Sequence, residues 1–572
     1  MLPAVQKSQK NMRTYPIWEV VHDGNYDSLV DTLLANRGLT RDDLSVDFDA
    51  LHPPQQLLDL ERGVERLESA IRRREKILVF GDYDADGVTS TAVMLDFLHQ
   101  VGAACAYLLP DRHRDGYGIK PPGVRRALEM GADVIVTVDN GIAAVEALAL
   151  AREEGVDVVV VDHHRQLADL PPAHSIINPN RRDCTYPFKG LAGVGVTFKV
   201  VQALSQAFMD GAERRRYLNL LLDLVALGTV ADVMPVLEEN RVLIQRGLAV
   251  MEKSQRPGIK HLRAAAGYED KPLNTTAVGF YLAPRINVAG RLESADLALK
   301  LLSTGQEREA VELAGQLNRL NQKRQQLQRE GVAEAEELVA PEDVEEDRIL
   351  VLLGERWHLG VVGLLASKLA EKYACPTVVC TEVRGDGVYT GSARSIPGYD
   401  ISAGINACAQ HLTSHGGHEG AAGFSMEADS FEAFRTTLIG HAREHIAPED
   451  LQARLSVDLF LQARDISLQT VRQLADLEPF GAGHEVPVFA AKDCKVVSCK
   501  TVGKDRTHLK LGLDIEGRPC NAMWWGRGAL AEKIQAGLQV SVAFALEEDT
   551  FTGHGAVQLV LKDMFASNGP TP

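Results

Sequence analysis

Asp82, Asp84 and Asp86 stand at every second position in VFGDYDADGVTS, residues 79–90, directly after an apolar run. An extended backbone would aim all three to one side, and their repulsion would raise their pKa values unless a cation lay between them. A divalent metal resolves that conflict. Oxygen ligands with one or two imidazoles suit Mn²⁺ or Mg²⁺, with the histidines tilting the choice slightly toward manganese, and the motif holds no cysteine. Three later stretches offer the same chemistry: Asp139-Asn140-Gly141, Asp162-His163-His164 and Gly228-Thr229-Val230-Ala231-Asp232. One aspartate after a strand is most often a helix cap or turn former. Four such sites, one beside a histidine pair, point to a shared metal centre with one of the histidines as a ligand. Two cations roughly 3.5–4 Å apart, bridged by a carboxylate and a water, form a phosphate-ester hydrolase in which one polarises the phosphoryl oxygen and the pair activates water.

Other hydrolytic patterns are missing from the sequence. It contains no HExxH, no GxSxG and no GxxxxGK[ST], so zinc-protease, serine-hydrolase and P-loop chemistry are not indicated. Gly193-Val194-Gly195 has no third glycine in register and reads better as helix packing than as a phosphate cradle. Two clusters look like anion grips: Arg285-Ile286-Asn287-Val288-Ala289-Gly290-Arg291, and Gly391-Ser392-Ala393-Arg394-Ser395 after a strand. Each offers guanidinium forks or hydroxyls that fit phosphate oxygens, and each also fits an interdomain salt bridge. Ser414-His415-Gly416-Gly417-His418-Glu419-Gly420-Ala421-Ala422-Gly423 would let the backbone approach a ligand with His418 as the polar handle, tight helix packing being the alternative.

These residues need elements to bring them together. KILVF (76–80), ADVIVTV (132–138) and VDVVVV (156–161) are β-rich runs, each ending in acidic or histidine residues. Helical stretches separate them, and residues 56–72 read as an amphipathic helix, so the first 200 residues alternate as a buried parallel sheet does. Ligands bind beyond the carboxyl ends of such strands. RRYLNLLLDLVAL predicts a helix leading into a loop, 228–235, that carries Asp232. A long connecting helix is expected over about 306–339, ended by PEDVEED. A second alternating unit runs from RILVLLGE (348–355) through a helix near 360–372 and two strands to about 445. Beyond AREHIAPED, short strands split by glycine and charged turns predict a small β-barrel. The fold class is therefore α/β and multidomain, ending in a β-barrel.

Composition sets limits. At 572 residues the chain needs several cores, and 45% hydrophobic with 24% charged residues is ordinary for a folded globular protein. No apolar run reaches the roughly 18 residues of a membrane span, and the first residues lack a signal-peptide core, so cytoplasmic residence is expected. Eight cysteines without CxxC predict free, mostly buried thiols. A formal charge of −17 argues against coating a polyanion with the whole surface; any nucleic acid must enter a local basic groove. Trp524 and Trp525 are strand neighbours facing opposite ways, so at most one is expected to be open for stacking on a base.

The four acidic motifs, in their order, resemble those of the DHH phosphoesterase superfamily. The Gly391–Ser395 and Gly416–Gly423 stretches resemble its DHHA1 domain, and the β-rich end resembles the oligonucleotide-binding (OB) domain of the superfamily's exonuclease branch. The likeness covers about residues 50–562. It implies an N-terminal segment (1–50), a DHH domain (51–300), a connecting helix (301–345), a DHHA1 domain (346–447) and an OB-like domain (453–563). Further, it implies a 5′-to-3′ exonuclease that releases 5′-mononucleotides from single-stranded DNA in recombination and repair. Asp84, Asp86 and Asp139 would hold one metal, and Asp86, Asp139, His163 and Asp232 the other, with Asp82 and His164 at the metals or one contact behind them. Arg285, Asn287, Arg291, Ser392, Arg394, Ser395, Gly417 and His418 would face the strand's phosphates. A monomer working with single-strand-binding protein and a repair helicase is implied too. Where the family reads Gly-x-Gly-Asn-x-x-Pro, this chain has Gly481-Ala482-Gly483-His484-Glu485-Val486-Pro487, which puts a turn or a DNA contact in question. The competing readings are an oligonucleotide or cyclic-dinucleotide phosphodiesterase, which the barrel disfavours, and a non-catalytic DNA-binding scaffold, which would be free to lose carboxylates that are all present here.

Overall fold

The structure, a computed structural model, describes residues 14–567 apart from 45–47, 49–50, 113, 167–168, 254, 383–384, 386 and 550–555. Five parallel strands lie in the spatial order Cys105–Leu108, Ile77–Phe80, Val134–Val138, Asp157–Val161, Ser175–Ile177. Their runs are apolar on both faces because helices cover both. Ile77, Val79, Val136 and Val159 pack with Val88, Ala92 and Val194 from the helices Ala85–Gln100 and Gly193–Leu204. Leu78, Phe80, Ile135 and Val158 pack on the other side with Val124 and Leu148 from Pro121–Glu129 and Val145–Glu153. The strand order reverses between Ile77–Phe80 and Val134–Val138, the switch point at which doubly wound sheets bind ligands. Asp82 and Asp139 follow those two strands.

A helical body completes this domain. Its helix Gly211–Ala231 extends through the first half of the stretch expected to be a loop, and Asp232 caps its C-terminus. The run of small and apolar residues there is buried against the sheet's helices, so it stays helical. The connecting helix spans Glu307–Leu338. At 1.5 Å per residue its 32 residues reach about 48 Å. Ala310, Leu313 and Leu317 sit in the first core, whereas Ala335 joins Leu350, Leu365 and Val379 in the next.

That next domain carries a mixed sheet in the order Ser414–His418, Ala421–Glu427, Val388–Arg394, Thr377–Glu382, Leu350–Leu353. Only the last pair is parallel. The Gly391–Arg394 stretch lies on a strand rather than after it, and Ser414–His418 is an exposed edge strand, not a helix-packing segment.

In the C-terminal domain, Phe489–Val502, His508–Ile515, Arg518–Trp524, Val557–Ala566 and Gln539–Glu548 close into a barrel, because Phe489–Val502 also pairs with Gln539–Glu548. The N-terminal segment is not a separate piece. Ile17–His22 pairs in parallel with Arg454–Phe460, which continues the barrel's sheet, and Leu29–Asn36 inserts Leu33 and Leu34 into the barrel core. Trp18 Nε1 donates to Asp563 Oδ2 at 2.9 Å. Such pairing between chain ends leaves no local trace in the sequence. Among the described residues, no helix is long and apolar enough to cross a membrane. All eight cysteines are free and six are buried.

Candidate metal centre and nucleic-acid cleft

The acidic stretch is extended only as far as Asp84, which caps the helix Ala85–Gln100 and accepts from the Gly87 amide at 3.0 Å. Asp86 is already in the first helical turn. Its carboxylate accepts from the amides of Gly193 (2.7 Å) and Val194 (2.8 Å), so the helix start at Gly193 cradles an internal carboxylate rather than a phosphate. Gly193 is required there, since a Cβ would lie 2.5 Å from Asp139 Oδ1. Asp139 has φ +63, a left-handed conformation that aspartate tolerates better than most residues, and its amide donates to the Val161 carbonyl at 2.9 Å.

Three sets of donor atoms converge, each within 4.8 Å: Asp82, Asp84 and Asp139; Asp86, His163 and Asp232; Asp139, His163 and His164. His163 Nε2 lies 3.1 Å from Asp139 Oδ1, 3.7 Å from Asp232 Oδ2 and 3.8 Å from Asp86 Oδ2. The grouping differs from the expected one: Asp139 is not in the Asp86, His163 and Asp232 set, and His164 joins Asp139 and His163 in a third. Asp82, not Asp86, joins Asp84 and Asp139, because the Gly193 helix start holds Asp86 toward His163 and Asp232. Asp139 belongs to two sets and is the natural bridge.

Both oxygens of Asp82, fully buried, and Oδ1 of Asp139 make no hydrogen bond. Burial, then the charge of Asp84, holds Asp82 well above the usual carboxylate range. Burial, then Asp86 and Asp84, does the same for Asp139 and Asp232, in the order Asp86 before Asp84 for both. Asp86 is raised by burial and Asp84 against the opposing Val194 and Gly193 amides. Buried acids left without donors are costly unless cations neutralise them, and carboxylates with imidazole are the donors that Mn²⁺ and Mg²⁺ accept. The residues therefore fit the metals that the sequence implies.

The sequence pattern included Asp162 in the Asp162-His163-His164 motif but gave it no role of its own. Asp162 Oδ1 accepts from His164 Nδ1 (2.8 Å) and from the amides of His163 (2.7 Å) and His164 (3.1 Å), while Oδ2 accepts from the Ile142 amide (2.9 Å). Burial opposes its ionisation, yet the His164 charge and these bonds hold it below the usual range. His164 is correspondingly pushed up to about 9 against burial, chiefly by Asp162, whereas burial and His164 push His163 down to about 4. His163 is thus a neutral imidazole, the form that binds a metal. Tyr117, which the sequence pattern did not include, donates its hydroxyl to the Asp139 carbonyl at 3.0 Å and lies 3.0 Å from His164 Nδ1. Only packing across the sheet brings it there.

Helix Ala283–Leu292 lies against the acidic loop: a Cβ on Gly290 would meet the Tyr83 carbonyl at 2.5 Å. Asn287 Oδ1 accepts from the Ala85 amide at 2.8 Å, so its oxygen positions the metal loop. Arg291 is lowered to about 10 by burial and by the charges of Arg112, Arg324 and Arg394. Those four arginines come from a sheet loop, two helices and the mixed sheet. Arg394 Nη1 donates to Ser392 Oγ at 3.0 Å, which places both on one face of their strand. Arg285 donates to Asn318 Oδ1 (3.0 Å) and the Tyr281 carbonyl (2.5 Å). Ser395 Oγ is bound to the Tyr399 carbonyl, while Gly417 and His418 lie on the open edge strand. Trp524 is buried at 2% and Trp525 is 55% exposed beside His508, the division expected of strand neighbours.

His484 is not a DNA contact. Its ring is buried, hydrogen-bonds the Leu477 carbonyl at 2.9 Å and stacks on Phe480. The turn it closes seats on the chain after Asp232: the Val236 amide donates to the Ala482 carbonyl at 2.8 Å, and Arg241 donates to the carbonyls of Leu477, Glu478 and Pro479.

A doubly wound sheet with clustered carboxylates at its switch point, beside a group of four arginines gathered from a loop, two helices and the mixed sheet, defines a metal-dependent phosphoesterase of the DHH type. Family models match accordingly: the DHH family N-terminal domain over 76–229, the DHHA1 domain over 346–444 and the RecJ OB domain over 457–563. The RecJ single-stranded-DNA-specific exonuclease of Bacillus subtilis is 35% identical over 94% of this chain and 68% of its own length. That of Escherichia coli is 35% identical over 94% and 96%. The crystal structure of RecJ from Thermus thermophilus in complex with Mn²⁺ superimposes with a TM-score of 0.81 at 31% identity, over 95% of this chain and 76% of that one; its Mg²⁺ complex gives 0.75. The chain belongs to the RecJ family.

Proposed function

We propose that this chain is a single-stranded-DNA-specific exonuclease that works from the 5′ end, releases 5′-mononucleotides and serves recombination and repair. The observation that carries the reading is the juxtaposition, in one cleft, of the carboxylate and imidazole cluster with the Arg112, Arg291, Arg324 and Arg394 group. Asp82, Asp84 and Asp139 would hold one Mn²⁺ or Mg²⁺ ion, and Asp86, His163 and Asp232 would hold the other, with Asp139 between them. When bound, the two ions supply an activated water and charge neutralisation at the scissile phosphate. The residues around them do the placing. Asp162 fixes the His164 ring, and the Gly193 helix start fixes Asp86. Ser392, Arg394 and Arg291 offer donors to the phosphates of the strand, and the edge strand with Gly417 and His418 lets a backbone approach. Confining positive charge to this cleft reconciles polyanion binding with the net charge of −17. Trp525 in the barrel extends the groove as a stacking surface. The family likeness adds a cytoplasmic monomer working beside single-strand-binding protein and a repair helicase.

The test is digestion of 5′-blocked, 3′-blocked and unblocked single strands with Mn²⁺ or Mg²⁺, beside an Asp139→Ala protein. Wild type should degrade unblocked and 3′-blocked strands, and the variant none. Equal degradation by both proteins, or by neither, refutes the catalytic reading; protection by a 3′ block alone refutes the polarity.

A further inference from the structure

Beside the metal centre lies an apolar surface that neither cation nor phosphate chemistry uses. Phe280 is 76% exposed, Tyr281 42% and Val233 72%. Single exposed apolar residues are ordinary; here Phe280 and Val233 lie on two segments that flank Asp232, while the Tyr281 ring packs on Tyr268 at 4.6 Å. Their position is fixed by the backbone. Phe280 and Tyr281 sit on the wide π-helical turn Val278–Leu282, whose Val278 and Leu282 are buried while 280 and 281 turn outward. Such turns disturb the helical face and recur at functional sites. Gly279, on the same turn, backs onto Val230: a Cβ there would lie 3.6 Å from Val230 Cγ1, two residues before Asp232. Val233 follows Asp232 directly, with φ +55. One turn further along, Arg285 holds the Tyr281 carbonyl, and its charge, after burial, depresses the pKa of Arg324.

An exposed aromatic ring thus sits on a turn that backs onto the helix ending at Asp232, and the next turn of its own chain carries Arg285. That is the layout of a single-strand platform: the base stacks on the ring while cations neutralise the flanking phosphates. We infer that Phe280 is a stacking platform for a nucleobase of the bound strand, on the Asp232 side of the metal centre. This rests on the cleft being a single-stranded-DNA site. A protein partner would also cover an apolar patch, but the adjacent arginines and the continuity with the metal cluster favour the strand.

The experiment walks one abasic residue along a single strand from its 5′ end and measures KM and kcat for wild type, Phe280→Ala and Phe280→Trp. Wild type should show one position at which losing the base raises KM roughly 5- to 100-fold. Phe280→Ala should show a similar rise on intact strands and no further penalty at that position, with kcat at saturation little changed. Phe280→Trp should restore the discrimination. The inference is overturned if Phe280→Ala binds intact strands like wild type, as it would if the patch docks a protein, or if it keeps the abasic penalty. An enzyme inactive on every single strand would instead overturn the exonuclease reading, a result separable from an active enzyme indifferent to residue 280.

Discussion

Two five-stranded sheets contribute to the cleft, and they supply its residues by different means. In the parallel sheet the functional residues leave the strand ends, at Asp82, Asp139 and Asp162, because every strand points the same way and all the following loops gather at one edge. In the mixed sheet they lie on the strands themselves, as Ser392 and Arg394 two residues apart and as Gly417 and His418 on the exposed edge. Convergence of ends makes a small, buried, strongly acidic centre suited to ions. A strand face and open edge present Ser392, Arg394 and accessible backbone along a line suited to a chain of phosphates, with Arg112, Arg291 and Arg324 added from a loop and two helices. Each pole is unfavourable alone and becomes favourable with its counter-charge.

Removing charge from the acidic pole tests this most severely. Asp139→Asn should lower Mn²⁺-dependent turnover on the order of 10³-fold, as loss of a central electrostatic group does. The same change should stabilise the metal-free protein. Because the folded state holds the Asp139 proton more tightly than the unfolded chain, the penalty is absent below the unfolded pKa near 4 and grows as pH rises toward the folded value. Thermal melts of the metal-free proteins should coincide near pH 4, while at pH 8 the variant should melt at the higher temperature. Addition of Mn²⁺ should raise the melting temperature of wild type more than that of the variant. A variant less stable than wild type at pH 8 would mean that the acidic centre is not strained.

Across the cleft the expected effect is smaller. Arg394→Ala should raise KM for single strands roughly 10-fold and reduce the slope of log affinity against log salt by about 1, leaving Mn²⁺ affinity unchanged. Altered Mn²⁺ affinity would show that the two poles are not separable. The smallest effect is expected at the third contributor, the barrel's docking turn. A Cβ on Gly481 would lie 2.4 Å from Val236 Cγ2, so Gly481→Ala should displace the chain after Asp232 and raise the Mn²⁺ needed for half-maximal activity a few-fold, roughly 1 kcal/mol in equivalent terms. Val236→Ala added to it should restore the wild-type requirement. Failure of that rescue would separate the barrel from the metal centre.

Local pattern made the parallel sheet, the connecting helix and the barrel legible, since β-branched runs, helical charge patterning and short strands broken by glycine are properties of neighbouring residues. Metal ligands were legible for a related reason: carboxylates and imidazoles placed directly after strands announce their chemistry one motif at a time. Other features depended on distance. Whether Asp82 or Asp86 joins Asp84 was decided by the Gly193 amides, more than a hundred residues away. That Asn287 also steadies the metal loop was set by the Ala85 amide, 202 residues distant, which donates to its oxygen. Tyr117 acquired its role from the Asp139 carbonyl and the His164 ring, and Asp162 is fixed in part by the Ile142 amide.

By itself, then, the sequence determined which elements form and which side chains can bind cations or phosphates, because propensity, periodicity and donor chemistry are carried within a few residues. Only the tertiary structure decided how those side chains are shared, which are held by backbone amides, and that the N-terminal strand completes the C-terminal sheet. Those outcomes depend on ångström-scale distances between segments far apart in the chain.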